Sequence, residues 1–490
     1  MQVCPELGQS ASLRRLLPEM DWGGVQDVAV TGCTCDSRQI GGGELFVALA
    51  GQTCDGHDFV GEAIARGCAA VLSERSLLDC SVPWCAAADA RAVFGRLCQR
   101  LAGHPSRQLK LVGVTGTNGK TTTSCLIAGV LTAAGHDVGV LGTLGYLDGR
   151  VVEPATHTTP PAERLATLLA RMVRNGCSHA VMEVSSHALD QSRVAGATFD
   201  AACLTNVTQD HLDYHADWES YRRAKAKLFD HLDGEGFAVF NADDPGSAEL
   251  LRRFDGPALT VGIESAAEIT AVPLEQCLSE QTFLLCAGSE TVPVCTQMIG
   301  RHHIYNCMTA AAVGLAYGIR LTTVAAGLES VGHVPGRLER IECGQPFGVF
   351  VDFAHTPDAL GNALAALRTV TAGRLICVFG AGGQRDRTKR PRMGRAVELG
   401  ADRIVLTNDN PRHEDPQTIF HDILGGFHSP GIVEVIPDRT VAIQRALSAA
   451  RPGDCVLIAG RGHETCQMIG DDRVPLDDRE VARQWLFQEP

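Results

Sequence analysis

An α/β fold with mostly parallel sheets is predicted by three features of this 490-residue chain. Short apolar runs recur, each followed by a loop rich in Gly, Asp, Asn or Thr and then by a segment of helical periodicity. Hydrophobic residues make up 45% and charged residues 20%, enough to bury several cores. A glycine-rich turn joins one apolar run directly to a helix. At about 150 residues per domain the length predicts roughly three domains.

The boundaries are drawn at 1–107 for a small N-terminal α/β domain, 108–335 for a central P-loop-type parallel-sheet domain, and 336–490 for a C-terminal doubly wound, Rossmann-like domain. Before residue 108 the pieces are short, as in GELFVALAG, and GHPSRQ reads as a linker. Leu111 to Val114 then forms a strand leading into TGTNGKTT, and the following helix places Leu126, Ile127, Val130 and Leu131 on one face before Gly135 stops it. A second helix carries Leu165, Leu168, Leu169, Met172 and Val173, ends at Asn175-Gly176 and feeds the strand Ala180 to Val184. In the last third, strands are expected at Val349 to Phe353, Leu375 to Phe379, Arg403 to Leu406 and Val456 to Ala459, with Thr356-Pro357 opening a helix.

Charge and cysteine usage narrow the partners. With 43 Lys+Arg against 57 Asp+Glu the net charge is −14, which disfavours a phosphate-backbone binder, so no nucleic-acid partner is expected. The longest apolar run, Ala310 to Ile319, falls short of the roughly 18 residues of a spanning helix, and no signal-peptide pattern opens the chain. No membrane association is expected, and the predicted location is cytoplasmic. The 19 cysteines are odd in number and show no C-x-x-C spacing. Most are therefore expected to be small buried hydrophobes in a reducing compartment.

The strongest motif is Gly116-Thr117-Asn118-Gly119-Lys120-Thr121, followed by Thr122, between a strand and a helix. Backbone N–H groups and the helix N-terminus can cradle phosphates there, Lys120 can reach the terminal phosphates of ATP, and the Thr121 hydroxyl can ligate Mg²⁺. Val114 stands where the general consensus has Gly. Glu183 ends one buried strand and His211 follows another, so both can project over the sheet edge that carries Lys120. A strand-end Glu also serves as a solvated or capping residue.

Lys225 shares a helical face with Trp218, Tyr221, Leu228 and Phe229, while Arg222, Arg223 and Lys227 are expected to point elsewhere. Its stem can pack while the amine snorkels. Alternatively, burial disfavours the ammonium and leaves the neutral amine that adds CO₂.

Gly116 to Thr121, Met182-Glu183-Val184-Ser185-Ser186-His187, Thr205-Asn206 with Asp210-His211-Leu212-Asp213, Gly336-Arg337-Leu338-Glu339 and Asp352 to Asp358 together resemble the ATP-dependent Mur ligases, amide-forming enzymes of peptidoglycan assembly. Asp409-Asn410-Pro411-Arg412 and Gly460-Arg461-Gly462-His463-Glu464 are similar to the members that add meso-diaminopimelate to UDP-N-acetylmuramoyl-L-alanyl-D-glutamate. The resemblance implies ATP contacts from Asn306, Arg337 and Asp352, and a Mg²⁺ site of Thr121, Glu183, His211 and a carbamylated Lys225. It makes Lys120, Lys225, Glu183 and His211 the catalytic set.

For the UDP-sugar dipeptide it implies Ser37, Gln52 and Thr53 at the uridine-diphosphate end and Thr158, Thr159, Ser185, Gln191 and Arg193 at the muramoyl-peptide end. For diaminopimelate, Arg385 and Arg412 hold carboxylates, Asp409 and Asn410 belong to the same motif, Glu464 takes the distal ammonium and the Gly460 carbonyl assists. A monomer is expected. The sequence departs from the family pattern at His157, Gln384, Phe353 and His303. A lysine-adding ligase, a folylpolyglutamate-type ligase and a non-enzymatic nucleotide switch remain as alternatives.

Overall fold

The computed structural model describes the chain except residues 1–9, 23–26, 52–53, 78, 212 and 489–490. It divides into two compact units. The first holds Met1–Thr115, Gly135–Cys203 and Ala224–Ala238, and the second holds Gly116–Ala134, Leu204–Arg223 and Val239–Pro490.

The first unit contains a four-stranded parallel sheet in the order Cys33–Thr34, Leu45–Ala48, Ala70–Ser73, Trp84–Ala86. Helix Ala90–Leu101 covers it with Val93, Phe94, Leu97 and Leu101, whose i, i+1, i+4, i+8 spacing makes one apolar stripe. Its larger sheet runs in the order Val152–Glu153, Gly145–Leu147, Val138–Gly142, β2 (His179–Glu183), β1 (Lys110–Thr115), β3 (Phe199–Leu204), β4 (Leu232–Asn241). Strand β2 lies between β1 and Val138–Gly142 and is parallel to both. Every residue of β2 is buried, which is why it reads as an unbroken apolar run.

In the second unit the glycine-rich loop opens helix α1 (Lys120–Ala133). The last three residues of β4 continue into Ala258–Gly262, Ile269–Gln276, Gln281–Ala287 and Glu290–Thr296, the last three strands forming an antiparallel meander. This meander departs from the parallel alternation expected of the central region. Its inward residues alternate, with Phe283, Leu285 and Val294 buried beside partly exposed neighbours, so it is a one-sided sheet rather than a buried strand.

Helix α2 (Trp218–Ala226) crosses from the second unit to the first, and helix α3 (Arg301–Ala316) belongs to the second. The C-terminal sheet is ordered Glu339–Arg340, β5 (Gly348–Asp352), β8 (Cys455–Ala459), β6 (Leu375–Phe379), β7 (Arg403–Leu406), Val433–Val435. All pairings are parallel except that of Glu339–Arg340 with β5. Separate apolar clusters cover its two faces, the doubly wound arrangement. Its strand ends release Phe353–His355, Gly380–Arg387, Thr407–Arg412 and Gly460–Glu464 at one edge, where open α/β sheets bind ligands.

Two further expectations are corrected. On α2, Lys225 is buried, but so is Arg222, which pairs with Glu219 and Glu249, while Trp218 is 37% exposed. The apolar face thus rotates because two carboxylates neutralise the guanidinium. Of the 18 described cysteines, all free, nine are buried, so half rather than most are core hydrophobes. Among the described residues no helix is long and apolar enough to cross a membrane.

Candidate active site

The phosphate loop is shaped by the Thr205-Asn206 segment. Thr117 N donates to Asn206 O at 3.0 Å, Asn118 N donates to Asn206 Oδ1 at 2.9 Å, and Thr205 Oγ1 donates to Asn118 O at 2.6 Å. Gly116 has φ +150°, and a Cβ there would collide with Thr205 Oγ1, so only glycine allows this approach. Lys120 Nζ curls back onto Gly116 O at 2.8 Å and Thr117 O at 2.9 Å.

Two nucleotide candidates from further along the chain, Asn306 and Arg337, touch this loop or the start of α1 within the second unit, and a third, Asp352, faces Arg337. Asn306, on α3, accepts from Thr123 Oγ1 at 3.2 Å and lies against Gly119. Arg337 donates to Thr121 Oγ1 at 3.0 Å and stands 4.7 Å from the centroid of the Phe353 ring. Asp352 accepts from Leu338 N at 2.6 Å and Ala354 N at 2.8 Å. Burial pushes its pKa up to about 6 against the opposing charge of Arg337. His211 has φ +56° in the loop before α2, and its Nε2 lies 3.4 Å from Asp210 Oδ2. Thr122 is buried in the first turn of α1.

Within the first unit, Glu183 is 1% exposed and accepts from Thr143 N at 2.7 Å and Thr143 Oγ1 at 3.1 Å. The muramoyl-peptide candidates form one network. Thr158 Oγ1 is 3.1 Å from Thr143 Oγ1, Thr159 Oγ1 donates to Glu183 O at 2.9 Å, and Ser185 N donates to Thr159 Oγ1 at 3.0 Å. Arg193 donates to Thr159 O at 3.0 Å and to Gln191 Oε1 at 2.7 Å. Ser37 is elsewhere in this unit, donating to Glu62 Oε2 at 2.8 Å. Gln52 and Thr53 lie outside the described residues.

The C-terminal sheet edge gathers the remaining set. Arg412 has φ +52° and donates to Gly383 O at 2.7 Å. Its pKa is lowered by burial and then by the neighbouring charge of Arg385. Asn410 Nδ2 donates to Glu464 Oε2 at 2.8 Å, and burial, reinforced by Asp409, raises the Glu464 pKa. Gly460 has φ +116°, and a Cβ on it would stand 2.6 Å from Asp409 Oδ2, a buried oxygen with no hydrogen-bond partner. Two guanidiniums beside two carboxylates suit a zwitterion: the first pair can hold carboxylates, the second an ammonium.

Comparisons with known proteins identify the family. Residues 29–93 match the Mur ligase family catalytic domain, 114–314 the Mur ligase middle domain, and 336–462 the glutamate ligase domain of Mur ligases. The UDP-N-acetylmuramoyl-L-alanyl-D-glutamate–2,6-diaminopimelate ligase of Geobacillus thermodenitrificans is 43% identical over 91% of this chain and 93% of its own. The chain belongs to the Mur ligase family. As a Mur ligase it is an ATP-dependent, ADP-forming enzyme.

A solved UDP-N-acetylmuramoyl-L-alanyl-D-glutamate–2,6-diaminopimelate ligase superposes with a TM-score of 0.70 at 31% identity, covering 98% of this chain and 99% of that one. The MurF ligase of Thermotoga maritima, solved with ADP, shares the fold at a TM-score of 0.62 and 19% identity, covering 93% and 96%.

Sequence reasoning missed two hydrogen bonds that tie this Mur ligase's phosphate loop and the loop before α2 to the first turns of two C-terminal helices. Asn118 Nδ2 donates to Asp358 Oδ2 at 2.8 Å, and Lys389 Nζ donates to Asp210 Oδ1 at 3.2 Å. Partners 240 and 179 residues apart leave no local signal. Of the departures, His303 is buried with no hydrogen-bond partner on either ring nitrogen, Phe353 lies under Arg337, Gln384 has φ +52° and His157 is tied through its backbone to Tyr146.

Proposed function

We propose that this Mur ligase joins meso-diaminopimelate to UDP-N-acetylmuramoyl-L-alanyl-D-glutamate, as a cytoplasmic monomer. The observation that carries the reading is the paired-charge rim of Arg385, Arg412, Asp409 and Glu464, which matches an amino acid with two zwitterionic ends. The names of the relatives support it. The free cysteines among the described residues suit a reducing compartment.

In this reading a carboxylate oxygen of the dipeptide's glutamate attacks the γ-phosphorus of ATP, ADP leaves, and an acyl phosphate forms. A diaminopimelate amine then adds to the acyl carbon, phosphate departs with that carboxylate oxygen, and the amine proton goes to solvent. Gly116 to Thr122 cradle the phosphates, Lys120 neutralises charge at the transferring group, and Asn306, Arg337 and Asp352 hold the rest of the nucleotide. Thr158, Thr159, Ser185, Gln191 and Arg193 orient the muramoyl peptide, with Ser37, Gln52 and Thr53 at the uridine end.

The Thr121 hydroxyl, the Glu183 carboxylate and a carbamate on Lys225 are hard oxygen donors suited to Mg²⁺, with His211 a less usual nitrogen donor. Mg²⁺ held with the nucleotide would supply charge neutralisation for phosphoryl transfer. The test is phosphate release by the purified chain with ATP, Mg²⁺, the UDP-sugar dipeptide and a panel of amino acids. Diaminopimelate-dependent release is expected. Release with lysine instead would assign the lysine-adding reaction, and release without either substrate would leave only a nucleotide switch.

A further inference from the structure

Arg439, the first residue of helix α5 (Arg439–Ser448), is fully buried, as is its partner Asp478. Its Nε and Nη2 donate to the two Asp478 oxygens at 2.8 and 2.7 Å. The same guanidinium donates through Nη1 to Asn408 O at 3.1 Å and through Nη2 to Ala459 O at 2.8 Å. Asn408 immediately precedes Asp409, and Ala459 immediately precedes Gly460. One side chain therefore ties together the two loops that carry the amino-acid rim, at the point where they approach so closely that Gly460 has no room for a Cβ.

We propose that Arg439 is a positioning residue for the amino-acid substrate, setting the separation of the Asp409–Arg412 loop from the Gly460–Glu464 loop. Stability alone accounts poorly for it. A buried ion pair contributes little net stability relative to apolar packing of the same volume, whereas a planar guanidinium with every arm engaged fixes the relative geometry of the groups it bridges. Lysine, a point charge, cannot bind a carboxylate bidentately and span two carbonyls at once. Arg439 touches no reacting atom, and its effect passes through the backbone of Asn408 and Ala459. The inference rests on the reading that this rim binds diaminopimelate.

The experiment compares wild type with R439K and D478N, measuring KM for diaminopimelate, KM for ATP, kcat, the diaminopimelate-to-lysine preference and the melting temperature. For R439K the expected result is a rise of about tenfold or more in the KM for diaminopimelate. A narrowed preference over lysine is expected with it, while the KM for ATP stays within about twofold. D478N, which keeps the arginine but loosens its fork, is expected to show the same signature at smaller size, and it decides the matter if R439K does not fold. An unchanged KM for diaminopimelate, equal rises in both KM values, or a fall in kcat with both KM values unchanged would overturn the proposal by showing a merely structural role. Wild type that forms no ADP with diaminopimelate, yet does so with another amino acid, would sink the substrate reading instead. The same comparison would then be made with that amino acid.

Discussion

Lys389 and Asp210, 179 residues apart, form an ion pair in which the side chains are only 8% and 5% exposed. The pair fastens the start of helix α4 (Lys389–Gly400), just past Arg385, to the residue before His211. Burial alone would raise the Asp210 pKa, and the opposing charge of Lys389, foremost among its neighbours, brings it below the usual carboxylate range. Replacing Lys389 with Met leaves a buried carboxylate with only His211 and His355 beside it, a change that costs up to about 3–5 kcal/mol. Urea unfolding at pH 7 is expected to show that loss, with most of it restored in Lys389→Met/Asp210→Asn. Because the folded pKa is depressed, the stabilisation is present above the unfolded value of about 4 and is lost as pH falls through the folded value. Both proteins share the unfolded pKa, so the gap between wild type and Lys389→Met narrows as pH falls through the variant's Asp210 pKa towards the depressed wild-type value, and a gap independent of pH would contradict the account.

Gly116→Ala puts a methyl group into Thr205 Oγ1 at a backbone angle that alanine rarely adopts. Nucleotide affinity, followed by fluorescence of a labelled ADP, is expected to fall by about two decades while binding of the UDP-sugar dipeptide is kept. Retained ADP affinity would show that the loop's shape is not what cradles the phosphates.

Arg412→Ala removes a guanidinium from the zwitterion rim. The KM for diaminopimelate is expected to rise by one to three decades, about 1.4–4 kcal/mol, with the KM for ATP little changed. Steady-state kinetics on the variant decide it, and an unaltered diaminopimelate KM would remove Arg412 from the site.

Lys225 is 1% exposed on α2. Lys225→Ala is expected to be inactive, and a short carboxylate such as acetate or formate is expected to restore part of the activity by standing in for the carbamate. Lack of rescue across a series of carboxylates would leave Lys225 with only a packing role.

Much of this fold was legible wherever burial is two-sided. Leu375–Phe379 and Arg403–Leu406 match the predicted strands residue for residue, because strands covered on both faces read as apolar runs, here with only the partly buried Arg403 at one end. The meander over Ile269–Thr296 was not recognised, since its one-sided burial leaves only weak alternation. Within the site, the phosphate loop and the Asp409–Arg412 and Gly460–Glu464 motifs were readable because each is contiguous. The roles of Asp358, Lys389 and Arg439 were hidden, since each takes its meaning from a partner distant in sequence. Arg222 misled for the same reason: its burial depends on Glu249, 27 positions further along the chain.

The most direct test of the central claim follows oxygen. With the glutamate side-chain carboxylate of the UDP-sugar dipeptide labelled in both oxygens with heavy oxygen, turnover with ATP and diaminopimelate is expected to deliver one labelled oxygen to each inorganic phosphate and leave the other in the new amide. Phosphate released without label would contradict an acyl-phosphate intermediate, and with it the account of how this chain makes its bond.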